Sequence, residues 1–166
     1  MANDEVGSLA IDVDGSVYVG GFFGSIGGAN RTSLAKLSGT NGAADAIWSP
    51  FGCAVTSLIL DGNGALFTDG WCTQKISTTG AGARIGWNPL PNGEVTALAL
   101  DASGSVYLGG SFTVVAGQPR SGLAAVPPNL CQKRRSPLIN NAAWDVTAGI
   151  VPRRNACGSI FVTRIE

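Results

Sequence analysis

An acidic run near the beginning of the sequence is the first candidate for metal chemistry. Asp12 and Asp14 are alternate carboxylates that precede Gly15, and an EF-hand calcium loop also begins with alternate carboxylates before a glycine, because they can surround one cation. The twelfth position of such a loop requires a bidentate glutamate, but counting from Asp12 places Phe23 there. The pattern therefore favours a hairpin turn over a calcium loop, and we assign no metal ligand.

Four charged residues recur in two similar segments and are the remaining candidate site residues. Glu5 and Glu94 each precede a predicted strand, where carboxylates either converge on a divalent cation or stay solvated. Arg31 and Arg120 each follow a glycine-rich connector, where a guanidinium group either binds a ligand or donates hydrogen bonds to loop carbonyls of the next repeat. We prefer the solvated interpretation for the glutamates and the structural one for the arginines.

Histidine is absent from the 166 residues. The commonest general base and the commonest metal ligand are therefore missing, and serine or cysteine nucleophiles have no histidine partner. The glycine-rich stretches also lack the G-x-x-x-x-G-K-[ST] pattern of a phosphate-binding loop. We predict a protein that is not an enzyme, with no catalytic residue and no cofactor.

The four cysteines have no spacing that signals a metal or a redox site. Cys53, Cys72, Cys131 and Cys157 form no C-x-x-C pair. We predict that they are buried free thiols, with a Cys53–Cys72 or a Cys131–Cys157 disulfide as the alternative.

The candidate residues lie in tandem copies of one sequence repeat, and the fold of this repeat determines their positions. Residues 5–37 align without a gap with residues 94–126, and sixteen of the 33 positions are identical. Residues 58–70 carry a third copy of the shared pattern, L-x-[IL]-D-x-x-G-x-[VL]-[YF]-x-x-G. We name the copies repeat A (5–52), repeat B (53–93) and repeat C (94–126).

Each copy begins with a predicted hairpin. Apolar residues alternate with small or polar ones, so Leu9 and Ile11 share one face of the first strand and Val17 and Val19 one face of the second. Glycine at the turn supplies the positive φ that a tight hairpin needs. The predicted turns are Asp14-Gly15, Asn63-Gly64 and Ser103-Gly104.

A tryptophan follows the third strand in the first two copies. Residues 36–50 align with residues 75–89, so Trp48 and Trp87 occupy one position, which we predict to anchor a fourth strand. Repeats A and C also contain the glycine-rich connector, which repeat B lacks. In repeat C the equivalent position holds Pro137 instead of tryptophan.

These features together predict the fold class. Four short strands per unit, recurring every 40 to 49 residues or so, are typical of a propeller blade. The 24 glycines and the charged fraction of only 13% favour tight turns over solvated helices. One blade can bury both faces of its sheet only between neighbouring copies. We therefore predict an all-β, partial β-propeller in which tandem four-stranded antiparallel blades form an open arc.

The longer run V-x-x-L-x-[IL]-D-x-x-G-x-V-Y-x-G-G-x-F, followed by G-x-x-R-x-x-L-A, resembles the delta-60 repeats of bacterial β-propellers. Repeats A and C carry this run. Repeat B has Thr68-Asp69-Gly70-Trp71 instead and is closer to NHL-type or quinoprotein-type blades. The resemblance implies an array within a large, often surface-associated bacterial protein, and it transfers no catalytic residue.

Residues 127–166 depart from the repeat. They contain six basic and two acidic residues, against five and nine in residues 1–126. Either the reading frame shifts or ends near residue 126, or the segment is a divergent cap in which Trp144 and Ile160-Phe161-Val162 cover the last blade. Its Lys133-Arg134-Arg135 cluster is too short to indicate nucleic-acid binding.

The functional prediction is a non-catalytic propeller module for protein or glycan interaction, and a fragment of a larger surface or secreted protein. The alternative is a fragment of a propeller enzyme, calcium-dependent lactonase-like or quinoprotein-like, with its site in the central channel. We expect self-association through open blade faces, because an open arc leaves apolar faces uncovered. We expect no membrane span, and the first residues lack the pattern of a signal peptide.

Overall fold

The computed structural model describes residues 1–70 and 72–130, together with the backbone of two short strands in the last segment. Within these residues regular structure consists of β-strands without a helix, so the predicted all-β class is confirmed. Accordingly, the described part contains no helix long and apolar enough to span a bilayer. The strands are β1 (Val6–Ile11), β2 (Val17–Gly21), β3 (Ser25–Ile26), β4 (Ala29–Asn30), β5 (Leu34–Leu37), β6 (Leu58–Leu60), β7 (Ala65–Thr68), β8 (Gln74–Ser77), β9 (Arg84–Ile85), β10 (Val95–Leu100), β11 (Val106–Gly110), β12 (Val114–Val115), β13 (Gln118–Pro119), β14 (Leu123–Val126), β15 (Pro152–Arg154) and β16 (Ile160–Val162).

Each repeat forms one antiparallel sheet. The strand orders are β1-β2-β5 in repeat A, β6-β7-β8-β9 in repeat B and β10-β11-β14 in repeat C. The prediction of four strands is therefore correct for repeat B only. In repeat A a single bridge between Leu37 and Ala44 stands where the fourth strand was expected. Pro127 and Pro128 follow β14 directly, as expected for residues that cannot continue a central strand.

The predicted hairpin turns are present. Gly15, Gly64 and Gly104 have φ values of 80°, 93° and 83°, which only glycine adopts without strain. Asp101 reinforces its turn, because its carboxylate accepts hydrogen bonds from the backbone N–H groups of Ser103 and Ser105. The aspartate of the repeat pattern is thus a turn residue.

The glycine-rich connectors of repeats A and C form small hairpins, which the sequence analysis did not predict. Strands β3 and β4 pair in repeat A, and β12 and β13 pair in repeat C. Both turn residues have positive φ in each hairpin, at Gly27-Gly28 and at Ala116-Gly117. Phe23 and Phe112, which precede these hairpins, are buried.

The repeats pack side by side through their sheet faces. Strand β6 lies between β1 and β10, so the first strands of consecutive repeats are neighbours. One apolar core lies between repeats A and B and a second between repeats B and C. This is how propeller blades pack, and the chain is a partial propeller.

Trp48 and Trp87 join consecutive repeats. Each ring meets an aromatic ring of its own repeat edge-on, Trp48 on Tyr18 and Trp87 on Phe67. The Trp48 indole N–H donates to the carbonyl of Ser77 in repeat B at 2.8 Å. Neither tryptophan lies within a strand, although Trp87 comes two residues after the fourth strand β9 and donates its backbone N–H to the Ile85 carbonyl. In repeat A, where no fourth strand forms, Trp48 is buried by its position between two sheets.

Two cysteines form a disulfide, so the prediction of free thiols is wrong for this pair and the alternative of a Cys53–Cys72 disulfide is confirmed. Cys53 and Cys72 are bonded, with their Cα atoms 5.8 Å apart. Cys53 precedes β6 and Cys72 lies between β7 and β8, so the hairpin of repeat B brings the two side chains together. Cys131 and Cys157 lie outside the described residues.

Candidate functional site

The predicted glutamates lie at equivalent places but form no common site. The side chains of Glu5 and Glu94 are exposed, and they belong to repeats separated by repeat B, which has Ala54 at that place. Glu94 lines a shallow cleft of about 410 Å³ with Pro91 and Asn92. Across residues 1–70 and 72–130, no group of three or more aspartate, glutamate or cysteine side chains is arranged to hold a metal ion.

The backbone of these glutamates has a structural role. The carbonyls of Glu5 and Glu94 accept hydrogen bonds from residues that follow the second strand. A Cβ atom on Gly21 would lie 2.2 Å from the carbonyl oxygen of Glu5, and one on Gly110 would lie 2.1 Å from that of Glu94. The second glycine of the Gly-Gly pair is therefore required by close backbone contact.

The two arginines contact their own repeats. Arg31 donates hydrogen bonds to the carbonyls of Asn30 and Asp45, and Arg120 donates to the carbonyl of Pro119. The sequence analysis expected carbonyls of the next repeat, and this is wrong because the connector hairpin folds back onto its own sheet. Arg31 holds together the loop that leads to Trp48.

A buried carboxylate in repeat B was missed by the sequence analysis. Asp69 is fully buried, and its Oδ1 accepts hydrogen bonds from the Thr56 hydroxyl at 2.8 Å and the Ser57 N–H at 2.6 Å. Its Oδ2 is also buried and has no hydrogen-bond partner in the described part of the chain. Burial raises the pKa of Asp69 above its ordinary value, against the effect of these two hydrogen bonds. The sequence did contain a signal for this residue, because repeat B has Asp69 at the position where repeat A has Gly20.

Two exposed aliphatic side chains lie next to each other on the first strand of repeat A. We define the leading face of a repeat as the face that packs against the preceding repeat. In repeat B, Leu58 on this face is 7% exposed because it packs on repeat A. In repeat A the equivalent Leu9 is 61% exposed, and Ile11 beside it is 72% exposed. The leading face of repeat A is therefore exposed along β1, whereas Val19 and Ala35 on the same face are buried against Phe23 and Ile26.

Two side chains of repeat C are more exposed than their equivalents in repeat A. We define the trailing face as the face that packs against the following repeat. In repeat A, Tyr18 and Leu34 on this face are fully buried by repeat B. The equivalent Tyr107 and Leu123 of repeat C are 38% and 64% exposed. Among the described residues, the burial of Tyr18 and Leu34 comes from repeat B, and no described repeat packs on Tyr107 and Leu123.

Comparison with known families agrees with this architecture. Residues 14–46 and 102–124 match a family model described as a domain of unknown function (DUF5122), beta-propeller. The first segment lies in repeat A and the second in repeat C, the two repeats that align with each other. No curated protein matches the chain. The chain is a partial β-propeller, and two of its three repeats are similar to the repeats of this β-propeller family.

Proposed function

We propose that this chain is a non-catalytic propeller module that binds another protein through the leading face of repeat A. The observation that carries the proposal is the exposure of Leu9 and Ile11, whose equivalents in repeats B and C are buried or partly buried against the preceding repeat. The proposal includes the delta-60 type of the repeat and a larger surface or secreted bacterial protein as its setting.

The chemistry of the face favours a protein partner over a glycan. Leu9 and Ile11 project from the same side of β1, and Ile11 pairs across the sheet with the half-buried Val17. Aliphatic side chains offer a glycan neither an aromatic platform nor hydrogen bonds, whereas covering each of them stabilises a protein complex by about 1.5–3 kcal/mol. An exposed apolar patch of this kind is typical of an interaction site.

A photo-crosslinking experiment tests this function. A benzophenone amino acid at position 11 should capture a protein partner, whereas the same group at the exposed Ala46 should not. With the captured partner purified, Leu9→Asp should weaken its affinity at least about tenfold, and Ala46→Asp should leave it within about twofold. The proposal is contradicted if both positions capture the partner equally, or if Leu9→Asp leaves the affinity for the partner unchanged.

One observation favours a cation-binding, enzyme-like propeller as the second candidate. Asp69 keeps a buried carboxylate oxygen without a hydrogen-bond partner in the described residues, and an oxygen of this kind is a ligand that Ca²⁺ prefers. Calorimetric titration with calcium tests it. Micromolar binding that is lost in Asp69→Asn supports this candidate, and the absence of binding heat contradicts it.

A further inference from the structure

We infer that the Cys53–Cys72 disulfide is a redox switch, which a dithiol reductant opens. Opening releases two segments of repeat B that contact repeats A and C, residues 53–57 and 69–70, which we call the joint. The inference goes beyond the proposed function and does not rest on it, because the joint lies between repeats and away from Leu9 and Ile11.

In repeats A and C the connector hairpin fixes the connection from the second to the third strand of the sheet. Phe23 of repeat A is 1% exposed and packs with Ile26 of the hairpin on Val19 and Ala35 of the sheet. Phe112 holds the equivalent place in repeat C and is also 1% exposed. Apolar packing therefore holds this connection closed in both repeats.

Repeat B has a disulfide at this place instead of a hairpin. Its second and third strands, β7 and β8, are separated by residues 69–73 only. Cys72 holds the position that Phe23 and Phe112 hold in the other repeats. It is bonded to Cys53, which precedes β6. The disulfide therefore replaces the apolar anchor of the connection.

The sheet of repeat B presents polar side chains at this connection. Thr68 pairs with Gln74 across the two strands, where repeat A has Val19 paired with Ala35. The Thr68 hydroxyl and both polar atoms of the Gln74 side chain are buried without a hydrogen-bond partner in the described residues. Such groups oppose the closed structure, because they give up hydrogen bonds with water. A covalent bond is thus what keeps this connection closed.

The joint beside the disulfide contacts both neighbouring repeats. Val55 is 1% exposed in the core between repeats A and B, and its N–H donates to the carbonyl of Gly21 at 3.4 Å. Gly70 forms an isolated bridge with Val95 of repeat C. Opening of the joint therefore weakens both contacts at once.

A buried carboxylate links the two halves of the joint. Asp69 accepts hydrogen bonds from Thr56 and Ser57, and its own N–H donates to the Ser57 carbonyl at 3.1 Å. Burial opposes the ionised form of Asp69 and raises its pKa, so water that enters an open joint relieves this cost. The joint therefore contains a group that gains hydration when the disulfide opens.

The reaction is a thiol–disulfide exchange, and both cysteines are only half-buried, so a small reductant can reach them. A thiolate of the dithiol attacks the sulfur of one cysteine, the bond between Cys53 and Cys72 breaks, and the other cysteine leaves as a thiolate. The second thiol of the reductant then attacks the mixed disulfide, releases the first cysteine and closes a disulfide within the reductant. The reductant loses two electrons and two protons, and the two cysteines gain them as thiols.

Hydrogen–deuterium exchange of the full chain, read by mass spectrometry, tests the switch. Dithiothreitol is the probe, and alkylation with peptide mapping establishes whether Cys53 and Cys72 are reduced. The variant with Cys53→Ser and Cys72→Ser has the joint permanently open. The variant with Cys131→Ser and Cys157→Ser removes the cysteines outside the described residues and is the matched control.

We expect reduction to raise amide exchange in the joint at least about tenfold, while β2 of repeat A and β11 of repeat C stay within about twofold. The first variant should exchange like the reduced wild type and ignore dithiothreitol, and the second should respond like the wild type. Equal exchange in the oxidised and reduced proteins, or a rise spread evenly over the three repeats, overturns the inference. A disulfide that dithiothreitol leaves intact in the folded chain overturns it as well.

Discussion

At the scale of single residues, the carboxylate of Asp101 in the hairpin turn of repeat C contributes stability that depends on pH. The Ser103 hydroxyl donates to Asp101 at 2.6 Å, and the backbone N–H groups of Ser105 and Ser103 donate as well. These hydrogen bonds, led by that of the hydroxyl, hold the pKa of Asp101 below its usual value of 3.8. A carboxylate with a lowered pKa stabilises the folded state above its unfolded pKa, and this contribution disappears as the pH falls through the folded pKa.

Replacement of Asp101 tests this relation. Asp101→Asn should lower the free energy of unfolding at pH 7, because the neutral amide accepts the same hydrogen bonds more weakly than the carboxylate. The difference in the free energy of unfolding between wild type and variant should become smaller at pH values below the ordinary pKa of 3.8. Urea unfolding followed by tryptophan fluorescence at neutral and acidic pH measures both effects. An equal gap at the two pH values contradicts the assignment.

Asp69 should respond to pH in the opposite direction. Because burial raises its pKa, the ionised carboxylate opposes folding as the pH rises from the unfolded pKa of 3.8 through the folded value. Asp69→Asn keeps an oxygen to accept from Thr56 and Ser57. The variant should therefore unfold at a higher urea concentration than the wild type at pH 7. At pH values below the unfolded pKa, the variant should be no more stable than the wild type. A less stable variant at pH 7 would show that the carboxylate has an attractive partner.

The Gly-Gly pair gives a prediction about backbone contact. Gly21→Ala should lower the free energy of unfolding by about 1–3 kcal/mol, because the new methyl group meets the Glu5 carbonyl. Gly24→Ala is the matched control, since the nearest atom there is an Asn3 side-chain nitrogen at 3.8 Å. Chemical denaturation of the two variants compares them directly. Equal stability would show that the Glu5 segment moves aside without cost.

At the scale of elements, the sequence predicts what is local and misses what is not. The turn glycines and the alternation of β1 and β2 are properties of adjacent residues, and the structure confirms them. The connector hairpins are as short as two residues per strand, too short for alternation to appear. The pairing of Cys53 with Cys72 depends on how repeat B folds, which cysteine spacing does not specify.

The disulfide of repeat B therefore has a testable role. It spans 19 residues of sequence separation and ties the segment before β6 to the segment after β7. Cys53→Ser together with Cys72→Ser should lower the free energy of unfolding by about 2–4 kcal/mol, chiefly through the entropy of the unfolded chain. Urea denaturation of the oxidised wild type and the variant measures it. The reduced wild type should match the variant, and a reduced protein as stable as the oxidised one rules out the proposed role.

At the scale of the whole molecule, position in the array decides what each repeat residue does. The sequence makes Leu9, Leu58 and Leu98 equivalent, and the pattern alone assigns them one role. The structure separates them, because Leu58 is buried against repeat A and Leu98 is partly buried against repeat B, whereas no described repeat packs on Leu9. The candidate site could not be read from the pattern for this reason, since its residues differ from core residues only in their neighbours.

One substitution made at equivalent positions tests this view of the array. Leu58→Ala should lower the free energy of unfolding by about 2–5 kcal/mol, because it leaves a cavity against Tyr18 and Trp48. Leu98→Ala should lower the free energy of unfolding by less, since that side chain is only partly buried against the core between repeats B and C. Leu9→Ala should stay within about 0.5 kcal/mol, as for a surface substitution.

The order of the three losses of unfolding free energy decides the test. Urea denaturation measures them, at a protein concentration low enough to keep the chain monomeric. Equal costs for the three leucines at low concentration would mean that the leading face of repeat A is already covered within the chain. That result would remove the basis for a docking surface at this end of the propeller.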